Sequence, residues 1–376
     1  MALSGASAGL IVYLVPAPSP PPGGGRYGPV YLLEGADMAG ALDADLVLEG
    51  GGVKGIALAG AISVLQDRGY RFHRVAGTSA GAIVGALVAA GTPHTRLREM
   101  MRDLDYRRFQ DPPLLGRLGP PGAVAQVLLR KGWCRGDYLR SWIGDMLGER
   151  DVRTFADLRS ADEGADAALE RDPDRDYRFV AMASDLTQGR LVRLPWAYRE
   201  RFGLEPDGMP VADAVRASMA IPYFFVPARC PDQRNGGRAW LVDGGMLSNF
   251  PVDVFDRTDG REPRWPTFGI KLSAKGAPAV NDVRGIVSLS RAMLSTMTGF
   301  YDRMHVNRPD VIGRTIFVDT SGVRATDFDL TRDTAERLFE SGRTAADRFL
   351  NAWDFEEHKK ARQRSPAPRA DLAEAT

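Results

Sequence analysis

Cysteine and histidine are scarce in this chain, with two and four residues among 376. Cys134 and Cys230 stand far apart and match no metal-ligand spacing, so neither a disulfide framework nor a zinc site is expected, and a reducing compartment is. An excess of one charge is also missing: 49 basic residues face 48 acidic ones, a formal net charge of +1. No long-range field then favours nucleic acid or an anionic membrane, so no nucleic-acid partner is expected and lipid contact must come from local surfaces. The longest apolar stretch near the N-terminus, Leu10 to Val15, is closed by Pro16, well short of the roughly 20 residues of a membrane span. The first basic residue is Arg26, so the charged leader of a secretory signal is not expected. The cytoplasm is the expected location, with peripheral contact to membranes left open and oligomeric state unread.

What is present is globular. Hydrophobic residues make up 44% and charged residues 26%, ordinary values for a chain that buries one large α/β domain or two average ones. Residues 16–25, "PAPSPPPGGG", resist both helix and sheet. Residues 1–43 therefore read as an extension ahead of a domain spanning 44–325. From Ala44 the chain alternates: "ADLVLE" as a buried strand, "VKGIALAGAISVLQDRGY" as a helix packed on a sheet, "RFHRVAG" as a second strand, "SAGAIVGALVAAG" as a second helix. This rhythm predicts right-handed parallel units that collect ligands at the ends of the strands. Residues 102–135, rich in Pro, Gly and Leu, interrupt it, as an insertion or cap or as an ordinary packed helical hairpin. Strand-like runs resume at "YRFVAMASDL", "GRLVRLP", "AWLVDGG", "TFGIKLS" and "RTIFVDT". An amphipathic helix is predicted over Thr331 to Asn351, within a C-terminal segment 326–355, and 356–376 reads as a disordered tail.

Two pentapeptides fit the pattern of a nucleophilic serine on a strand-to-helix turn: Gly77-Thr-Ser79-Ala-Gly81 and Gly5-Ala-Ser7-Ala-Gly9. Such an elbow needs a strand delivering the serine, a helix starting just after it and small flanking residues. Ser79 has all three, whereas a proline-rich segment follows Ser7. A second turn, Glu49-Gly50-Gly51-Gly52-Val53-Lys54-Gly55, also joins a strand to a helix, and its backbone N–H groups can converge on an anion near a helix start. A nucleotide P-loop requires Ser or Thr after the lysine, where Gly55 stands. In acyl transfer the same amides would stabilise a tetrahedral oxyanion.

The serine needs a base. His73 lies six residues before Ser79 on the incoming strand and His94 lies beyond a full helix, each placing it ~20 Å away. His358 falls in the charged tail, and His305 in "YDRMHVNRP", the one histidine that distance does not exclude, reads as a surface or satisfied polar residue. In "RAWLVDGGMLSNFPV", by contrast, Asp243 ends an apolar strand before Gly244 and Gly245. The run "AWLV" should partly desolvate its carboxylate and raise its proton affinity, which makes Asp243 the candidate general base.

The motifs "GGGVKG", "GTSAG" and "DGG" in that order, with "SDLTQGRLVRLP", "VRASMAIPYFFVPA" and "SNFPVDVF" around them, resemble the patatin-like phospholipases. These are serine acyl hydrolases that use a Ser-Asp dyad without histidine. The likeness spans roughly Ala44 to Thr320. It implies a three-layer α/β/α sandwich around a mostly parallel sheet, a nucleophile at Ser79, its partner at Asp243 and an oxyanion hole from Gly50, Gly51 and Gly52. It also implies supporting positions at Lys54, Gly55, Gly77, Gly81, Gly244 and Gly245, a lipid or other acyl-ester substrate, and neither metal nor cofactor. Lys54 takes the family's basic position in the glycine loop, where packing or pairing beside the turn is favoured over direct chemistry. An acyltransferase or thioesterase using the same dyad, and a phosphate- or nucleotide-binding protein built on the glycine loop, stay open as alternatives.

Overall fold

The computed structural model describes residues 42–111, 131–160, 175–257, 261–272, 308–325 and 327–364, together with the single residues 283, 292 and 296. The extension 1–43, apart from its last two residues, and the Leu-rich stretch 112–130 of the expected insertion lie outside the described residues. So does His305.

In chain order the elements are β1 (Leu42–Leu48), α1 (Gly55–Asp67), β2 (Tyr70–Thr78), α2 (Ala80–Ala89), α3 (His94–Asp103), β3 (Gly132–Cys134) and α4 (Asp137–Gly148). There follow β4 (Phe179–Asp185), β5 (Arg190–Leu194), α5 (Val211–Ser218), β6 (Tyr223–Phe225), β7 (Ala228–Asp232), β8 (Gly237–Asp243), β9 (Thr267–Lys271), β10 (Thr315–Phe317), α6 (Arg332–Leu350) and α7 (Phe355–Arg364). The main sheet is eight-stranded, in the order β10-β9-β1-β2-β4-β8-β7 with β5 paired to β4, and β3 and β6 form a small second sheet. The central pairs, β1 with β2 and β9 and β2 with β4, are parallel. Strand β8 runs antiparallel to β4.

Period-two alternation in the central strands sorts side chains onto two buried faces. Leu46, Leu48, Val75, Phe179 and Ala181 point to the face that the helices cover. Val47, Ala76, Val180 and Met182 point to the other, where Phe250, Val252, Phe255 and Val311 pack on them. Both faces being covered, the strands read as nearly unbroken apolar runs in the sequence. Helices α1 and α2 carry buried residues all round, as helices wrapped by other elements must. The amphipathic α6 lies against α1, and its predicted span is met by Thr331 as N-cap, accepting from Thr334 N–H, and Asn351 as C-cap.

The expected disorder of 356–376 does not hold for its first part, because α7 continues to Arg364. His358 is 7% exposed and sits 5.1 Å from the Trp353 ring. Burial, helped by Arg314 and Arg362, pushes the His358 pKa down to about 4, so it is neutral. The anchor is ionic: Arg314, 1% exposed, donates twice to Asp256 at 2.6 and 2.7 Å, and Arg362 from α7 reaches the same carboxylate. Replacing Asp256 by Ala strands a buried guanidinium, which should cost about 3–5 kcal/mol. Chemical denaturation measures this, and an unchanged midpoint would show that the cluster does not anchor the C-terminal helix.

Candidate active site

Strand register brings the singled-out residues onto one row. Leu48 pairs with Gly77 across β1 and β2, Thr78 with Met182 across β2 and β4, and Ala183 with Asp243 across β4 and β8. One step past these pairs, Ser79 stands level with Ala183 and hence with Asp243, one strand beyond. The glycine loop leaves β1 on the opposite side of Ser79. A Cβ placed on Gly50 would stand 3.1 Å from the Ser79 Cβ.

Ser79 has φ 54 and ψ −123, a strained conformation for a residue with a side chain. Its surroundings impose it. The Ser79 N–H donates to Ser218 Oγ at 2.9 Å, and its carbonyl accepts from Ala82 N–H at 2.8 Å, inside the first turn of α2. Gly81 in that turn passes so close to β1 that a Cβ there would meet the Leu48 carbonyl oxygen at 2.4 Å. No other residue type fits without moving the strand or the helix. Gly77 ends the strand side of the elbow within β2.

Asp243 is 6% exposed. Its Oδ1 accepts from Gly245 N–H at 2.8 Å, its own N–H donates to Ala220 O at 3.0 Å, and Gly244–Met246 form the short turn that follows. Burial raises its pKa from the usual 3.8 to about 6, against the opposing pull of hydrogen bonds from Ser79 and from Gly245 N–H. The Ser79 hydroxyl also lies 3.3 Å from Met219 Sδ. Asp243 therefore lies near Ser79, in a dry setting that keeps the carboxylate more basic than in water.

The three loop glycines differ. Gly50 N–H donates to Asn249 O at 3.2 Å, so that amide, expected to join an oxyanion hole, is committed to the fold. Among the described residues, no protein acceptor takes the N–H of Gly51 or Gly52. Gly52 has φ +57 and abuts the Ala325 carbonyl, which accepts from Val53 N–H at 3.1 Å. Gly55 opens α1. Burial lowers the Lys54 pKa, while the charges of Glu49 and Asp327 partly restore it, so Lys54 sits between two acids beside the turn.

Sequence reasoning missed the groups that hold this arrangement. Glu49, 4% exposed, receives the Lys271 ammonium and the Leu272 N–H. Asn249 Nδ2 reaches both Glu49 Oε1 at 3.3 Å and Gly50 O at 3.2 Å. Ser218 and Met219 come from "VRASMAIPYFF". Their signal was only that these polar or flexible residues sat in runs otherwise apolar. The described histidines take structural places: His73 pairs with Asp43, His94 with Asp67, and His358 packs on Trp353.

An α/β sheet that presents a strained serine on a strand-to-helix turn, with a buried carboxylate on the same row, fits the class of lipid hydrolases. Residues 46–256 match the patatin-like phospholipase family, and the chain belongs to that family. Over 314 residues it is 36% identical to the uncharacterized protein YqhO of Bacillus subtilis, covering 83% of this chain and 99% of the relative. It is 30% identical over 210 residues to the uncharacterized NTE family protein Rv1063c of Mycobacterium tuberculosis, covering 55% of this chain and 44% of that protein. The chain thus spans less than half the length of this mycobacterial relative. Among solved structures it is similar to VipD from Legionella pneumophila, at 19% identity and a TM-score of 0.47, covering 82% of this chain and 67% of that one. It is also similar to the type III effector ExoU, at 17% identity and a TM-score of 0.41, covering 82% and 53%. Family membership supports lipid hydrolase activity. No helix among the described residues is long and apolar enough to cross a membrane.

The raised pKa of Asp243 has a thermodynamic consequence. A carboxyl whose folded-state pKa lies above its unfolded value stabilises the fold fully below pH 3.8, and that stability is lost as pH rises through about 6. Asp243→Asn escapes this cost, so at about pH 8 it should be more stable than the wild type, on the order of 3 kcal/mol. Paired denaturation curves at acid and alkaline pH measure the difference. A less stable variant at the alkaline end contradicts the burial argument.

Proposed function

We propose that the protein hydrolyses carboxylic ester bonds of phospholipids or other acyl lipids through a Ser79 acyl-enzyme, with Asp243 as general base. The observation that carries this reading is a strained Ser79 on the same row of the sheet as a buried Asp243 whose pKa is raised to about 6. In the first half-reaction the Ser79 proton passes to the Asp243 carboxylate as Oγ bonds the ester carbonyl carbon. The amides of Gly51 and Gly52 face the developing oxyanion, where one donor is typically worth about 10² to 10³ in rate. Collapse breaks the bond to the alcohol, and Asp243 returns the proton to that leaving oxygen. Water then attacks the acyl carbon, giving its proton to Asp243. The Ser79 oxygen departs and recovers that proton, releasing a fatty acid. The cycle closes with no change in the enzyme and needs no histidine.

Gly50 belongs to this scheme as a spacer beside Ser79 rather than as a donor. Lys54 supports the loop through Glu49 and Asp327. The commitment of the Gly50 and Val53 amides to protein carbonyls leaves two neighbouring donors with no acceptor among the described residues, which suits one oxyanion better than a polyphosphate.

Fluorophosphonate should label the wild type and Ser7→Ala but not Ser79→Ala, and ester turnover should fall at least ~10³-fold in Ser79→Ala and Asp243→Asn. Label retained in Ser79→Ala overturns the nucleophile assignment. Because the carboxylate form of Asp243 accepts the proton, kcat/KM should rise with pH through about 6 and then level off. An acid limb at the pH of an ordinary solvated carboxylate would remove Asp243 from the role of base.

A further inference from the structure

One buried polar group lining a cleft next to the Ser79 elbow is used neither by Ser79 or Asp243 nor by the framework that holds them. Gly52, Ala80 and Met219, all next to the elbow, line a narrow cleft together with Tyr106, Phe109 and Phe328. Apart from Tyr106, those side chains are apolar, as a hydrocarbon chain requires. Tyr106 is only 6% exposed, and its ring packs edge-on against Phe109 at 5.7 Å. Its hydroxyl is buried and, among the described residues, has no hydrogen-bond partner.

An unpaired buried hydroxyl is destabilising, and most buried polar side-chain atoms in proteins have a partner. Phenylalanine would fill the same volume without that cost. Burial also raises the phenol pKa, so the group is neutral and can both donate and accept a hydrogen bond. The cleft holds about 10 Å³ of free space, so a chain enters it by displacing side chains. Met101, which also lines it, and Met219 are unbranched and adaptable, while Phe328 is stacked on Phe224 at 5.0 Å. A plain hydrocarbon that opened this space would still leave the Tyr106 hydroxyl buried and unpaired. A chain carrying an oxygen at the right carbon would pair it.

We propose that Tyr106 is a specificity residue whose hydroxyl hydrogen-bonds an oxygen on the substrate's acyl chain, so that esters of hydroxy- or oxo-acyl chains are preferred over unsubstituted ones. The proposal rests on the acyl-enzyme reading of Ser79. Hydrogen bonds to substrate hydroxyls discriminate strongly because the analogue lacking the oxygen leaves the protein group unpaired.

The test is kcat/KM for nitrophenyl esters of one chain length, unsubstituted or with a single hydroxyl moved carbon by carbon along the chain, alongside fluorophosphonate labelling. In the wild type one positional isomer should exceed the unsubstituted ester by about tenfold or more. Tyr106→Phe should erase that preference while keeping turnover of the unsubstituted ester and a melting temperature no lower than wild type. A wild type that prefers no isomer overturns the proposal without any variant being made. A Tyr106→Phe protein that slows all esters equally overturns it too, assigning the hydroxyl to packing or to the reacting carbonyl. If the wild type neither labels nor turns over any ester, the hydrolase reading itself fails. Labelling and turnover without an isomer preference reject Tyr106 alone.

Discussion

The arrangement depends first on the buried carboxylate of Glu49. It stands where β1 ends and the glycines begin, and a charge at that depth is tolerable only with its lone pairs filled. They are filled by Lys271 and the Leu272 N–H from the end of β9 and by Asn249 from the segment after Asp243. Those three donors hold the glycine loop, β9 and the turn beyond β8 to one point. The path of the loop is then fixed from both sides, since Asn249 also takes the Gly50 amide with its carbonyl and returns its side chain to the Gly50 oxygen. With Gly50 so occupied, the two following amides are the ones without an acceptor among the described residues.

The same apolar enclosure acts on both members of the Ser79–Asp243 pair. It raises the proton affinity of Asp243 by desolvation, and through Ser218 and the tight approach of Gly81 to β1 it holds Ser79 in a strained conformation. Both effects oppose stability, and both are concentrated at one row of the sheet while the rest of the strands alternate cleanly between two packed faces. Local departures from good packing rules at a site, surrounded by consistency elsewhere, are the usual mark of function.

Much of the frame was legible in the sequence because glycine punctuates it. Ser79, Asp243 and the loop at Gly50 to Gly52 could each be placed at a strand end from apolar runs that stop at small residues, and the caps of α6 at Thr331 and Asn351 were readable from its periodicity. The less legible parts depend on distance along the chain. Nothing local marks Ser218 as the acceptor for the Ser79 N–H, or Ala325 as the carbonyl against Gly52, because both contacts join residues far apart in sequence. Gly50 looked equivalent to its two neighbours until Asn249 was seen to claim its amide. The charged character of "EEHKKARQR" suggested disorder, and the fold overrode it with a partly buried Asp256 that gathers Arg362 and the buried Arg314.

The contact between the Val53 amide and the Ala325 carbonyl also sets an order in time. A ribosome that has delivered Ser79 and Asp243 has not yet delivered Lys271, Leu272 or Ala325. Until they emerge, Glu49 lacks its counter-charge and the glycine loop has no fixed course beside the serine. If Ser79 and Asp243 act as proposed, the nascent chain carries both for many residues before the glycine loop is held, and competence arrives late in synthesis, with the strand and loop that follow β8.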